Sequence, residues 1–271
     1  MKLKMVGLGK MGLNLALNMK EHGVDVEGFD VNEEARKKAE SENIKTYASL
    51  EDVASKDEKN VIWVMLPAGK ITNSVLLQLV ELCKANDIVI DGGNSDHRDS
   101  LKTAHLMEEK GIYFFDIGTS GGVYGARHGA SFMCGGDPDV FKKELQEMLE
   151  SIATTNGCLY TGKTGSGHYL KMIHNAMLYG YMQTLGEGFE LLEKSEFDYD
   201  LQNVADSLSK SSVIRGWLLE LAADAFKKDP DLSKIKGVVG TSKTTGWTIE
   251  SACELGVPIP VISTSLMMRL R

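Results

Sequence analysis

Lys171, His174 and Asn175 fall at i, i+3 and i+4 in a stretch otherwise made of Leu170, Met172, Ile173, Ala176 and Met177. On a helix this spacing puts the three polar groups on one face. A lone helical lysine ordinarily sits in solvent; these apolar flanks instead predict a buried helix with a short polar stripe. Burial disfavours the ammonium form and lowers a lysine's pKa, which makes it usable as a general base near neutral pH. Asn175 would position that base or its substrate. His174 either joins them or is a core histidine satisfied by its neighbours.

A second constellation lies at the amino end. Gly7-Leu8-Gly9-Lys10-Met11-Gly12 is a GxGxxG run between a predicted strand at 3–6 and a predicted helix at 11–22, and Asp30 follows a second predicted strand at 24–29. The spacing alone is a weak signal in a glycine-rich chain. In strand–turn–helix context it has a physical logic: the glycines permit a tight turn, and the helix N-terminus faces a pyrophosphate. Asp30 would accept hydrogen bonds from the adenosine ribose and repel a 2′-phosphate. NAD is therefore the expected cofactor, and NADP stays open because Arg36 and Lys37 lie nearby. Leu66-Pro67-Ala68-Gly69 and Asp91-Gly92-Gly93-Asn94-Ser95 both follow later strands, at the carboxyl ends where open α/β sheets bind ligands. Asn94 offers a donor and an acceptor, and Ser95 reads as the N-cap of the next helix. Seven glycines fall between 118 and 136. Among them Ser120-Gly121-Gly122 suits a loop pressed against small-molecule oxygens, with Ser120 as hydroxyl donor.

The elements that must position these groups alternate through the first half of the chain. Strands are predicted at 3–6, 24–29, 61–66, 87–91 and 113–117, with helices at 11–22, 32–42, 71–84 and 95–110 between them. That alternation predicts an α/β fold with a doubly wound parallel sheet of Rossmann type. Beyond 162 no strand pattern returns. A long helix at 169–194 is followed by helical segments at 201–208, 215–226, 248–255 and 261–270. The predicted organisation is a dinucleotide-binding domain over 1–162 and an all-helical substrate-binding and dimerisation domain over 163–271.

Composition narrows the class. With 38 acidic against 30 basic residues in 271, the net charge of −8 argues against a nucleic-acid partner. The longest strong apolar run, Val61-Ile62-Trp63-Val64-Met65-Leu66, is far below the ~20 residues of a membrane span, and the amino terminus has no signal-peptide pattern. Cys83, Cys134, Cys158 and Cys253 are scattered and read as reduced thiols, as in a cytoplasmic protein. No cysteine or histidine spacing matches a metal site; His168 and His174 are six apart.

In order along the chain, Gly7 to Gly12, Gly92-Gly93-Asn94-Ser95, Ser120-Gly121-Gly122 and Lys171-x-x-His174-Asn175 resemble the β-hydroxyacid dehydrogenases. The Gly-Gly-Asn-Ser turn and the His-Asn pair resemble 6-phosphogluconate dehydrogenase in its shorter bacterial form. The resemblance covers nearly the whole chain. It implies NAD(P)-dependent oxidation and decarboxylation of 6-phosphogluconate to ribulose 5-phosphate, with Lys171 as base and Asn175 beside it. It also implies that Asn94, Ser120, Gly121, Gly122, His174 and Asn175 hold substrate, and that Tyr179 and Arg269 bind its phosphate. Leu66, Pro67, Ala68 and Asn94 match cofactor contacts. A homodimer is implied through the long helices.

Three departures qualify this expectation. The glutamate that protonates the product in the family falls at Leu178, seven residues after Lys171 and on the same helix face. Glu187, sixteen after Lys171, points to roughly the opposite side at ~100° per residue; Tyr179, Tyr181 or water are the alternatives. The family's lysine before Trp247-Thr248 corresponds to Ser242, with Lys243 adjacent. The chain also ends at Arg271, where the family's tail would continue. The alternatives to a full 6-phosphogluconate dehydrogenase are a non-decarboxylating β-hydroxyacid dehydrogenase and a catalytically weak binder of NAD and sugar phosphate.

Overall fold

An unbroken apolar strand needs an apolar layer on each face, and the central strands have both. Val61 and Trp63, Ile88 and Ile90, and Phe115 and Ile117 enter one core, while Ile62, Val64, Val89 and Phe114 enter the other. This period-two division of a continuous run is how a doubly covered parallel sheet is built. Trp63 is fully buried and meets Phe132 edge-on at 6.0 Å between centroids.

The structure is a computed structural model and describes residues 1–54 and 56–270. It divides into two units, Met1–Met172 and Ile173–Arg271. The first carries β1 (Lys2–Val6), α1 (Lys10–Glu21), β2 (Asp25–Phe29), α2 (Glu33–Ser41), β3 (Lys45–Tyr47), α3 (Leu50–Val53), β4 (Val61–Val64) and α4 (Lys70–Leu82). There follow β5 (Ile88–Asp91), α5 (His97–Glu108), β6 (Tyr113–Ser120), α6 (Gly122–His128) and β7 (Ala130–Gly135). A helical stretch of α7 (Pro138–Val140), a π-turn (Phe141–Leu145) and α8 (Gln146–Ile152) leads into β8 (Ala153–Gly162), after which α9 (Ser166–Glu193) begins. The sheet order is β3-β2-β1-β4-β5-β6-β7-β8. Its pairs are parallel except β6 with β7. Strand order reverses between β1 and β4, the switch point at which such sheets open a crevice.

The glycine-rich segment read as a loop over 118–136 is structured instead. β6 runs through Ser120, Gly121 turns the chain at φ +123°, and α6 and β7 follow. β3 and β8 were likewise absent from the sequence expectation. Asn32 does cap α2, its side chain accepting from Glu34 N. Ser95 does not cap α5: that role falls to Asp96, which accepts from Arg98 N, while Ser95 Oγ donates to the buried Asp91 carboxylate at 2.6 Å.

The second unit holds the rest of α9 with α10 (Leu201–Ser211), α11 (Trp217–Lys228), α12 (Lys243–Leu255) and α13 (Pro260–Arg269). α9 runs unbroken through Gly180, Gly186 and Gly188. The described residues beyond β8 contain no strand.

Gly92 closes β5 directly beneath Trp63: a Cβ there would collide with indole Nε1 and lie 2.5 Å from Cε2. Since Trp63 is sealed on all sides, Gly92→Ala should cost about 1–3 kcal/mol, the range of core overpacking. Urea denaturation of the two proteins measures it.

Candidate active site

At the switch point, β1 ends in Gly7, which has φ +99° and whose side-chain position is filled by Met65 backbone and by Leu66 Cδ2 at 2.8 Å. Only glycine meets both constraints. Gly12 has no room for a Cβ against Gly7 O, whereas nothing lies within 4 Å of where one would stand on Gly9. α1 therefore starts hard against the loop, with open space at Gly9. It has no side-chain cap and no acidic residue in its first turn, so its N-terminal dipole and N–H groups suit an anion. These features fit a dinucleotide's pyrophosphate.

Asp30 lies next to this turn. Its Oδ2 accepts from Leu8 N at 2.7 Å and its Oδ1 from Asn32 N at 2.8 Å, so the carboxylate is fixed by backbone donors and keeps further lone pairs for ribose hydroxyls. Arg36 and Lys37 are engaged locally. Arg36 Nη1 donates to Asp30 O at 2.7 Å, and Lys37 pairs with Glu33 at 2.8 Å. Lys10, Met11 and the half-buried Leu66 surround the glycine turn, while Pro67 and Ala68 are exposed beyond it.

Farther across the sheet, the Asp91 carboxylate accepts from Gly93 N at 3.1 Å and from Ser95 Oγ. This folds the turn so that Asn94 stays exposed between two buried neighbours. Thr119 Oγ1 donates to Gly92 O at 3.2 Å and ties that turn to β6. Ser120 and Gly121 are half-buried at the end of β6, and Gly122 is exposed.

Lys171 is 5% exposed. Its stem fills the place a side chain at Gly118 would take, with Lys171 Cγ 2.8 Å from that Cβ position. Burial alone pulls its pKa from 10.5 down to about 8, so a substantial neutral fraction exists close to physiological pH. His168, one turn earlier, is buried, and its Nδ1 shares a 2.7 Å hydrogen bond with Ser100 Oγ.

Within the second unit, His174 Nδ1 and Asn175 Oδ1 are 3.2 Å apart. The Arg269 guanidinium stacks on the Tyr179 ring at 3.8 Å, and its Nε and Nη2 donate to Gly240 O at 3.1 and 2.7 Å. Tyr179 OH donates to Ser242 Oγ and accepts from Ser242 N, both at 3.1 Å. Tyr179 and Arg269, ninety residues apart, are thus assembled into one anion-suited cluster. Ser242, the counterpart of the family's lysine, joins it, and Gly240 is an addition that sequence reasoning did not supply. α9 carries Leu178 in unbroken helix seven residues from Lys171. Glu187 is exposed and accepts from Gln183 Nε2 at 2.9 Å. Tyr181 OH donates to Ile214 O at 2.6 Å. Among the described residues no group of three or more metal-ligating side chains converges.

Fold and site define a nicotinamide dinucleotide-dependent dehydrogenase. Residues 2–162 match the NAD binding domain of 6-phosphogluconate dehydrogenase and residues 167–271 match that enzyme's C-terminal domain. A provisionally named 6-phosphogluconate dehydrogenase of Bacillus subtilis is 42% identical over all of this chain and 91% of its own length. The NAD(+)-dependent, decarboxylating 6-phosphogluconate dehydrogenase of Haloferax volcanii is 38% identical over 99% of this chain and 90% of its own. The solved 6-phosphogluconate dehydrogenase of Plasmodium falciparum superimposes with a TM-score of 0.87 at 29% identity, over 99% of this chain and 61% of that one. The chain belongs to the 6-phosphogluconate dehydrogenase family.

A lysine held near 8 destabilises the fold whenever it is charged. Against 10.5 in the unfolded chain, the penalty at pH 7 is on the order of 3 kcal/mol and is relieved as pH rises from about 8 to 10.5. Lys171→Met should therefore raise stability at pH 7 by about 1–3 kcal/mol. It should also flatten the rise in stability across that alkaline window, read by urea denaturation at both ends of it.

Proposed function

We propose that the protein oxidises 6-phosphogluconate with NAD and releases ribulose 5-phosphate and carbon dioxide, with Lys171 as the base. The buried lysine seated on Gly118, with its pKa pulled to about 8, carries this reading. NAD would be held by Gly7, Leu8, Gly9, Lys10, Met11 and Gly12 at the pyrophosphate, by Asp30 at the ribose, and by Leu66, Pro67, Ala68 and Asn94 beyond it. The bound nicotinamide supplies the acceptor for the hydride leaving substrate C3. Neutral Lys171 takes the 3-hydroxyl proton as that hydride leaves, and Asn175 steadies the hydroxyl. The resulting 3-keto acid loses its carboxyl group as carbon dioxide while Lys171 returns the proton to the carbonyl oxygen. Protonation of the enediol at the former C2, which becomes C1 of the ketose, completes ribulose 5-phosphate. Asn94, Ser120, Gly121, Gly122 and His174 would hold the sugar acid, and Tyr179 with Arg269 its phosphate. Preference for NAD is supported by the fixed Asp30 carboxylate and by the local engagement of Arg36 and Lys37.

Leu178 supports a second reading, a β-hydroxyacid dehydrogenase that oxidises without efficient decarboxylation. One assay separates them: NADH and carbon dioxide followed independently with 6-phosphogluconate and either NAD or NADP. Faster reduction of NAD, with carbon dioxide keeping pace with NADH, is expected; carbon dioxide lagging behind NADH would favour the second reading. Leu178→Glu should raise the rate of ribulose 5-phosphate formation by about 10-fold or more, since a positioned acid contributes ~10²–10⁴. Cofactor binding without NADH from any sugar acid would remove both enzyme readings and leave a binding protein.

We also infer a homodimer in a reducing, cytoplasmic setting, built on the helical unit. That unit's own buried cluster is small, Ala205, Ala223 and Phe226, while Leu191, Val213, Trp217, Leu255 and Val261 are each at least half exposed. α9, α10 and α11 also line an open apolar space of about 880 Å³ around Phe189 and Phe226. Such a surface favours a partner. Among the described residues no helix is long and apolar enough to cross a membrane. Light scattering at micromolar concentration should give twice the chain mass; a monomer would overturn the dimer.

A further inference from the structure

We propose that Asp116 is a positioning residue for Lys171: a single carboxylate on β6 caps the first turn of α9 and fixes where the lysine stem enters the site. The inference rests on reading Lys171 as the base.

α9 starts at Ser166, and the residue before it, Gly165, has no side chain with which to cap the helix. The orphan donors at such an end are commonly met by two side chains of the helix itself, one reaching the third-residue N–H and the other the cap N–H. Here Asp116 meets both from a neighbouring strand. Its Oδ1 accepts from Gly165 N and its Oδ2 from His168 N, each at 2.7 Å. The carboxylate is wholly buried, and its charge complements the helix dipole. The titratable groups facing it are His168 from α9 and Cys134 from β7. Burial pushes its carboxyl pKa up, opposed by His168 and by the two backbone donors.

What makes this more than a cap is its register. Residues 116, 118 and 120 share one face of β6. The first holds the start of α9, the second receives the Lys171 stem, and the third is the proposed substrate serine. The first turn of α9 has little freedom elsewhere, because a Cβ on Gly167 would strike Asp116 O and Met133 O. Loosening the cap would let the first turn lift from β6 and admit water along the stem. The lysine would then move back toward its ordinary pKa.

The test compares the full chain with Asp116→Asn, which keeps the shape but turns one acceptor into a donor. Three quantities are read: amide exchange at Gly165 and His168, the pH midpoint of Lys171 acylation by acetic anhydride (from mass spectrometry), and kcat with KM for NAD. Faster exchange at one or both amides is expected. The acylation midpoint should climb from about 8 toward 10.5, kcat should fall about 10-fold, and KM for NAD should stay within about 2-fold. Unchanged exchange at both amides would show that Asp116 is not the cap. Faster exchange with an unmoved midpoint would leave a structural cap only; either result overturns the proposal. Should Asp116→Asn fail to fold, Asp116→Glu, which keeps both acceptors but moves them by one methylene, is read in the same way, and an unmoved midpoint there overturns the proposal too. Full activity in Lys171→Ala would instead remove the reading of the base itself, whatever the cap does.

Discussion

The chemistry depends on how closely a helix can lie on a strand. α9 starts so near β6 and β7 that no Cβ fits on Gly118, Gly135 or Gly167: each would strike backbone or side-chain atoms of the facing segment. Ordinary side chains at these three positions would hold the helix away from the sheet, and water would fill the gap. With glycines there, the Lys171 stem is packed against β6 and its ammonium loses hydration. Burial is the one cause behind its lowered pKa. The same approach brings the Asp116 carboxylate within hydrogen-bonding distance of the helix end. One steric condition thus yields both the buried lysine and the carboxylate that holds the start of its helix.

The two ends of the sheet handle buried polarity differently. At the amino end, the buried Lys4 donates to Asn60 Oδ1 at 2.8 Å, and Asn60 gives its side-chain and backbone N–H groups to Asp87, each at 2.8 Å. That network joins β1 to the segments entering β4 and β5 and leaves its charges paired, which is how buried ions are tolerated. At the carboxyl end the buried carboxylates Asp91 and Asp116 accept from loop and helix N–H groups instead. Asp91 shapes a turn whose outer face, at Asn94, remains open, and Asp116 holds the start of α9. The amino end holds strands together, and the carboxyl end fixes loops in place for a ligand.

Much of this was legible in the sequence because local chemistry and tertiary demand coincide. The apolar run at 61–66 needs two covered faces, and the GxGxxG turn needs a strand before it and a helix after it. Lys171 among apolar neighbours needs a buried helix. What escaped was set by distant partners. β7 was hidden because glycines at 129, 135 and 136 look like loop residues until β6, Thr154 and α9 are seen pressed against the segment. Asp116 looked like an ordinary strand residue; its role depends on N–H groups some fifty residues later. Its alternation with Gly118 and Ser120 was the signal that could have found it. Ser95 misled because a serine after a turn fits an N-cap, whereas the buried Asp91 carboxylate competes for its hydroxyl and Asp96 takes the cap.

The chemistry at Leu178 follows from the same reasoning. Oxidation needs a base and a hydride acceptor, and decarboxylation of a 3-keto acid needs only a proton returned to the carbonyl oxygen; Lys171 can serve both. Protonation of C1 is a separate demand, and the residues on α9 meet it poorly. Leu178 has no proton to give. The Tyr179 hydroxyl donates to Ser242 and the Tyr181 hydroxyl to Ile214 O, so either would have to break an existing bond to act. Glu187 is engaged with Gln183 on another face of the helix. With these groups committed, the proposed reaction would have to draw the C1 proton from beyond α9, from water for instance, a far weaker acid than a carboxyl group. Lys171, the base of the proposed reaction, is set by an enforced steric contact, while the proposed final proton transfer has no dedicated donor on α9. On the proposed reaction, a site altered in this way separates decarboxylation from protonation of the enediol, and the rate of ketose formation relative to carbon dioxide release is where that separation would be visible.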